Sequence, residues 1–177
     1  MKKNTRRKYL IPAVACLVVM AGFVYSYFFA SMAAGNETRY VYIDTDDTVD
    51  SVYTKLADVS SLNGMEGFKT LVRHSHYADN IRTGRYAIKP GEGAFTVFRH
   101  MKNGLQSPVS LTVPSVRTLD RLAAELSKRL MVDSAAIYEA LSDEAICKKY
   151  GYDTATVAAL FIPNTYDIYW NVSVEKL

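Results

Sequence analysis

Cysteine is scarce in this chain: 177 residues contain two, Cys16 and Cys147. Cys16 falls inside a long apolar run and Cys147 lies well beyond it, so the two cannot pair and the core must hold the fold. Histidine is also scarce, at three residues, and only His74-Ser75-His76 has metal-like spacing. Residues i and i+2 share a face only in extended backbone, and no third ligand is close in sequence, so no metal is expected. The chain lacks a P-loop, a dinucleotide fingerprint, a Gly-x-Ser-x-Gly elbow and paired-cysteine zinc spacing. These absences exclude the matching enzyme classes and leave no cofactor to be expected.

Positive charge is missing where a nucleic acid would need it. The formal net charge is +3, but Lys2, Lys3, Arg6, Arg7 and Lys8 supply +5, so the rest of the chain carries −2. A nucleic-acid surface needs its basic residues on the folded domain, and here they sit in a tail. The 49% hydrophobic content describes a folding chain of one ordinary domain or two small ones.

The basic tail, residues 1–8, precedes an uncharged run from 9 to 36 whose apolar heart is 10–30. About twenty apolar residues at ~1.5 Å each cover the ~30 Å core of a bilayer. The reading is a transmembrane helix over 9–34, with the tail in the cytoplasm and the bulk of the chain on the periplasmic side of the inner membrane. Pro12 is placed in the first helical turn, and Tyr25, Tyr27, Phe28 and Phe29 at the outer interface. Ser31-Met32-Ala33 offers a small-x-small cleavage site, but the run exceeds the usual signal-peptide core of about 7–15 residues, which favours an uncleaved anchor.

Beyond a short linker at Gly35-Asn36-Glu37-Thr38, Tyr40-Val41-Tyr42-Ile43 predicts a strand. Asp46, Asp47 and Thr48 are cap candidates for a helix carrying Val49, Val52, Tyr53 and Leu56 at helical spacing. The alternative use of Asp44, Asp46 and Asp47, calcium binding, lacks the glycine and distal glutamate of a calcium loop. The same design returns seventy positions later: Leu111-x-Val113 predicts a strand, and Thr118-Leu119-Asp120-x-Leu122 with Leu126 predicts a helix. Between the copies, 67–73 reads as helix and 84–88 as strand, ended by Lys89-Pro90-Gly91-Glu92-Gly93. Phe95, Phe98 and Met101 form an apolar helical stripe stopped by Asn103-Gly104. Residues 133–141 predict a helix capped by Asp133, and 143–149 another.

Near the end, Leu160-Phe161-Ile162 runs into Pro163, then Asn164-Thr165-Tyr166 and Asp167-Ile168-Tyr169-Trp170-Asn171. Proline cannot donate a backbone hydrogen bond and biases Ile162 to extended geometry, so the apolar run must turn here. Rings beside amides and hydroxyls suit a sugar, the rings covering apolar faces and the polar groups holding hydroxyls. The plainer alternative is a packed turn closing a buried strand.

Taken in order, the chain resembles the YceG/MltG-like endolytic murein transglycosylases. Gly84-Arg85-Tyr86-Ala87-Ile88-Lys89-Pro90-Gly91 is similar to that family's Gly-x-Tyr strand and turn. Val113-Pro114-Ser115-Val116-Arg117-Thr118-Leu119 is similar to its strand leading into a Pro-Glu-Gly-x-Thr turn and helix. The stretch from Leu160 to Tyr166 is similar to its Glu-Gly-aromatic-Leu-Phe-Pro-Asp-Thr-Tyr. The resemblance implies an α+β fold: a single N-terminal transmembrane helix, a LysM-like βααβ module over 38–105, and the N-terminal part of a transglycosylase-like domain over 106–177. Family members continue further, so a truncated catalytic domain is expected.

Two positions depart from the family pattern. Its catalytic glutamate aligns with Ala158, which cannot transfer a proton, and its aspartate with Asn164. Among the nearby carboxylates Asp153, Asp167 and Glu175, only Asp167 lies inside the site stretch and becomes the candidate catalytic residue. Asn164, Thr165 and Tyr166 become candidates for substrate positioning. The implied activity is that of a lyase cutting MurNAc–GlcNAc bonds of nascent glycan to leave 1,6-anhydro ends during cell-wall assembly. Peptidoglycan strands, the membrane and peptidoglycan synthases are the implied partners. The rival reading is a non-catalytic anchored module that binds peptidoglycan or a synthesis partner. A third, a pyridoxal-phosphate lyase, finds no cofactor cradle in this sequence.

Overall fold

The computed structural model describes residues 3–177, with side chains from residue 11 onward; Lys2 and the basic side chains of the tail lie outside the described residues. The chain divides into two compact units. One comprises the residues up to Val41 with Asp46–Arg82 and Tyr86–Leu105, the other Tyr42–Thr45, Thr83–Arg85 and Gln106–Leu177.

The first unit begins with α1, Lys3–Phe28. Its stretch Ile11–Phe28 has a mean hydropathy of 2.0 and none of it is buried, so it is long and apolar enough to cross a membrane. Two details of the sequence reading change. Because the helix starts at Lys3, Pro12 lies inside it rather than in its first turn, and one intrahelical hydrogen bond is lost there. The helix also stops at Phe28, short of residue 34.

Strand β1 (Arg39–Ile43) leads into α2 (Val49–Ala57), α3 (Leu62–Arg73) and β2 (Gly84–Ile88), and the two strands pair in a two-stranded sheet. Thr48 caps α2, its side chain accepting from the Ser51 amide at 3.3 Å. Asp47 accepts from Ser51 Oγ at 2.7 Å and pairs with Lys55 Nζ at 2.5 Å, so a hydroxyl and an ammonium engage one member of the acidic cluster. Helix α3 begins five residues before the predicted 67. Ser61 caps it by accepting from the Gly64 amide, and Met65, Phe68 and Val72 supply its buried stripe. Gly64 and Gly67, poor helix formers, hid that start.

Helix α4 (Ala94–Asn103) ends at Gly104, whose φ of 69° closes it in the left-handed conformation that glycine tolerates. Its buried face is Ala94, Val97, Phe98 and Met101. Phe95, read from the sequence as part of the core stripe, is instead 41% exposed. In the core, the Phe68 ring stands 6.2 Å from Tyr77 and 6.0 Å from Phe98.

The second unit is built on an antiparallel pair of strands distant in sequence. Strand β3 (Val109–Val113) runs antiparallel to β4 (Asn164–Ile168), with Val109 opposite Ile168, Leu111 opposite Tyr166 and Val113 opposite Asn164. Strand β4 was not expected from the sequence. Period-two alternation buries Val109, Leu111 and Val113 and turns Ser110 and Thr112 outward. Helix α5 (Leu119–Ser127) packs against the buried face, α6 (Ser134–Ser142) against α5, and α7 (Glu144–Lys149) against α6, with Leu122, Leu126, Ile137, Leu141 and Cys147 in the shared core. Asp133 caps α6 by accepting from the Ala136 amide at 2.7 Å, and Asp143 caps α7. Short 3-10 turns cover Val157–Leu160 and Val174–Lys176.

Candidate functional site

The register of β3 and β4 decides where the candidate residues go. Opposed residues of an antiparallel pair project to the same side, so Ser110 with Asp167 and Thr112 with Thr165 share the outer face. Ser110 Oγ donates to Asp167 Oδ1 at 2.9 Å, and the hydroxyls of Thr112 and Thr165 meet at 3.0 Å. All four residues are exposed. The outer face is therefore a short ladder of three hydroxyls and one carboxylate.

Tyr166 and Asn164 project to the opposite side. Tyr166 Oη donates to Ile162 O at 3.0 Å, and Asn164 Oδ1 accepts from the Thr165 amide at 2.8 Å. The candidates Asn164, Thr165, Tyr166 and Asp167 thus do not form a single patch: the strand splits them two and two. The residues that follow have structural partners. Trp170 stands edge-on to Tyr42 with ring centroids 5.1 Å apart, and Asn171 Nδ2 donates to Thr83 O and Oγ1 at 3.1 and 3.0 Å.

Ala158 sits in the 3-10 turn Val157–Leu160 and lines a cavity of about 250 Å³. Pro114, Ser115 and Val116 form one wall, Phe161, Ile162 and Pro163 another. Two stretches far apart in sequence, the turn after β3 and the turn before β4, therefore close around the position that aligned with the glutamate. Among the described residues no carboxylate lines this cavity, and Asp167 is not among its walls.

A second cavity of about 370 Å³ shares the Pro114-Ser115-Val116 wall and adds Arg117, Thr118, Arg121 and Glu125. The sequence reading assigned none of the three charged residues. Their only signal was the i, i+4 spacing of Arg117, Arg121 and Glu125 across the start of a helix. Glu125 is engaged by Lys128 Nζ at 2.7 Å.

Two other carboxylates are held ionised. A hydrogen bond from the Thr156 side chain, with the Thr156 amide, keeps Asp153 below its ordinary value. The Thr118 hydroxyl does the same for Asp120. Asp153 is thus a turn-closing acceptor and not a proton donor near neutrality. Of the histidines once considered for a metal, His74 Nδ1 lies 2.8 Å from Thr70 O and His76 Nδ1 lies 3.2 Å from Asp79.

The sequence profile of the YceG-like family matches residues 41–177. Among solved structures, a protein from Listeria monocytogenes described as yceG-like aligns at 20% identity with a TM-score of 0.43. The alignment covers 80% of this chain and 51% of that one, so the chain spans about half the length of that protein. No curated protein matches.

Proposed function

The chain belongs to the YceG-like family, which is associated with murein transglycosylase function, and on that premise we propose that it is an endolytic lytic transglycosylase of nascent peptidoglycan. In this proposal α1 anchors it in the inner membrane with the remainder outside the cytoplasm, and the βααβ segment is a LysM-like module that holds glycan near the site. The observation that carries the catalytic part is the β3–β4 ladder, which presents Asp167 among Ser110, Thr112 and Thr165 on an open face.

The chemistry asks for one carboxyl group. It gives its proton to the glycosidic oxygen as the bond from that oxygen to MurNAc C1 breaks. As carboxylate it then takes the proton of the MurNAc 6-hydroxyl, whose oxygen bonds to C1 and closes the 1,6-anhydro ring. No water is consumed. The carboxyl must be protonated when the strand binds, which enzymes arrange by burial and neighbouring groups. In this proposal the glycan lies across the outer face of the β3–β4 pair, where the three hydroxyls meet the sugar.

A second reading rests on a different observation. Among the described residues no carboxylate lines the cavity at Ala158, which supports a protein that holds glycan there without cutting it. Product analysis separates the two: 1,6-anhydro ends that vanish with Asp167→Asn support the enzyme, and retained glycan binding with no anhydro product supports the holding module.

A further inference from the structure

The chain leaving α1 does not form a free tether. Segment 31–34 is bound into the first unit by backbone hydrogen bonds: Met32 N donates to Glu92 O at 2.8 Å, Ser61 N to Met32 O at 2.7 Å, and Ala34 N to Val59 O at 3.0 Å. Met32 is completely buried. The end of the helix is gripped as well. Tyr27 Oη lies 3.0 Å from Thr70 Oγ1. A Cβ on Gly67 would fall 2.3 Å from Tyr27 O, one on Gly93 2.6 Å from Phe28 O, and one on Gly64 2.7 Å from Met32 Cα. Three glycines thus let the backbone of the helix end and of the segment after it lie directly on α3 and on the turn before α4. Close approach of this kind is a packing use of glycine that a flexible linker does not need.

Beside this junction lies an apolar surface that the core does not use. Phe29 is 48% exposed and Phe95 41%, their ring centroids 5.8 Å apart, and Leu62, next to the gripping Ser61, is 88% exposed. Lys89 and Glu92 occupy the neighbouring turn. Only three residues lie between Phe28 and the buried Met32, and those four steps reach at most about 14 Å even if fully extended. A surface so close to the last residue of an apolar span meets the bilayer boundary, where aromatic and aliphatic side chains are favoured.

We propose that the first unit is seated on the outer surface of the lipid bilayer through Phe29, Leu62 and Phe95, held in one orientation by the Gly64–Gly67–Gly93 cradle. This rests on α1 being a membrane span, and it adds that the unit hangs on no flexible tether and binds lipid through its own side chains. The segment that resembled a cleavage site, Ser31-Met32-Ala33, is in this arrangement part of the fold.

The test uses the full chain in lipid vesicles. Variants Leu62→Trp and Phe95→Trp are compared with the parent, whose single tryptophan is Trp170. Both positions are exposed, so the fold tolerates the change. Each added tryptophan should emit further to the blue than in detergent-free buffer and be quenched by lipids brominated near the headgroup end of their chains. Adding Gly67→Val, which drives a side chain into Tyr27 O, should abolish the quenching of Phe95→Trp while the protein still floats with the vesicles. Flotation without quenching in either tryptophan variant overturns the seating and leaves the anchor intact. Blue-shifted emission without lipid quenching overturns it in favour of a protein partner or a second copy. Failure to float overturns the membrane reading itself, and the seating with it.

Discussion

At the residue scale the account turns on two positions of the second unit. Asp167 has the right functional group on the open face of the ladder; Ala158 has the walled position without the group. A general acid of this kind contributes about 10²–10⁴-fold, so Asp167→Asn should lower the rate of anhydro-product formation by that factor while binding of intact glycan persists. Measuring both on the same preparation separates catalysis from recognition. Ala158→Glu tests the other position: a carboxyl placed between the Pro114 and Pro163 walls should raise product formation above that of the parent if the strand reaches that cavity. An unchanged rate with unchanged binding would place the working site on the ladder alone. In the first unit, Tyr77 is 1% exposed and its hydroxyl has no hydrogen-bond partner among the described residues. Such a group is costly to bury, so Tyr77→Phe should leave stability unchanged or raise it by up to about 1 kcal/mol in denaturant unfolding.

At the scale of elements, the helices were legible because their caps and stripes agree. Thr48, Asp133 and Asp143 each bond the amides expected of a cap, and Leu122 with Leu126 forms the buried stripe of α5. Strand β4 was not legible. Its run Asn164-Thr165-Tyr166-Asp167-Ile168 is polar at three of five positions, follows a proline, and owes its strand form to pairing with β3, which local sequence does not announce. The same pairing explains why the candidate site came apart: residues adjacent in sequence alternate between faces. Phe95 was misplaced for a related reason. Its spacing to Phe98 fits a helical stripe, yet the stripe that faces the core runs through Ala94, Val97, Phe98 and Met101. The sequence reading places Gly67 at a helix start and Gly93 in a turn and gives Gly64 no role; in the fold all three are close contacts. At this scale, Leu126→Ala should cost about 2–5 kcal/mol, because it empties a fully buried site where α5 packs on the β3 face. Denaturant unfolding followed by far-ultraviolet circular dichroism reads it.

At the scale of the whole molecule, the chain carries a helix whose stretch Ile11–Phe28 is long and apolar enough to span a membrane, and residues 41–177 match the YceG-like family. Two buried phenols shape the chain's response to alkaline pH. Burial pushes Tyr86 up to about 12 and Tyr77 up as well, above the ordinary value of 10.0. The folded chain therefore keeps phenolic protons that the unfolded chain has lost above pH 10, so unfolding free energy falls as pH rises. The stabilisation is fully present below pH 10 and lost progressively as pH approaches about 12, for Tyr86. Thermal unfolding should show a falling midpoint over that window, and Tyr86→Phe should flatten the fall.

The central claim, that this chain cuts glycan by intramolecular closure, is tested most directly by incubating the full chain with uncrosslinked peptidoglycan strands and reading the fragments by mass spectrometry. The account predicts internal cleavage with 1,6-anhydro-MurNAc ends and no hydrolysed ends. Intact strands recovered from a folded protein that still binds them would contradict it, and would leave a protein that holds glycan for another enzyme to cut.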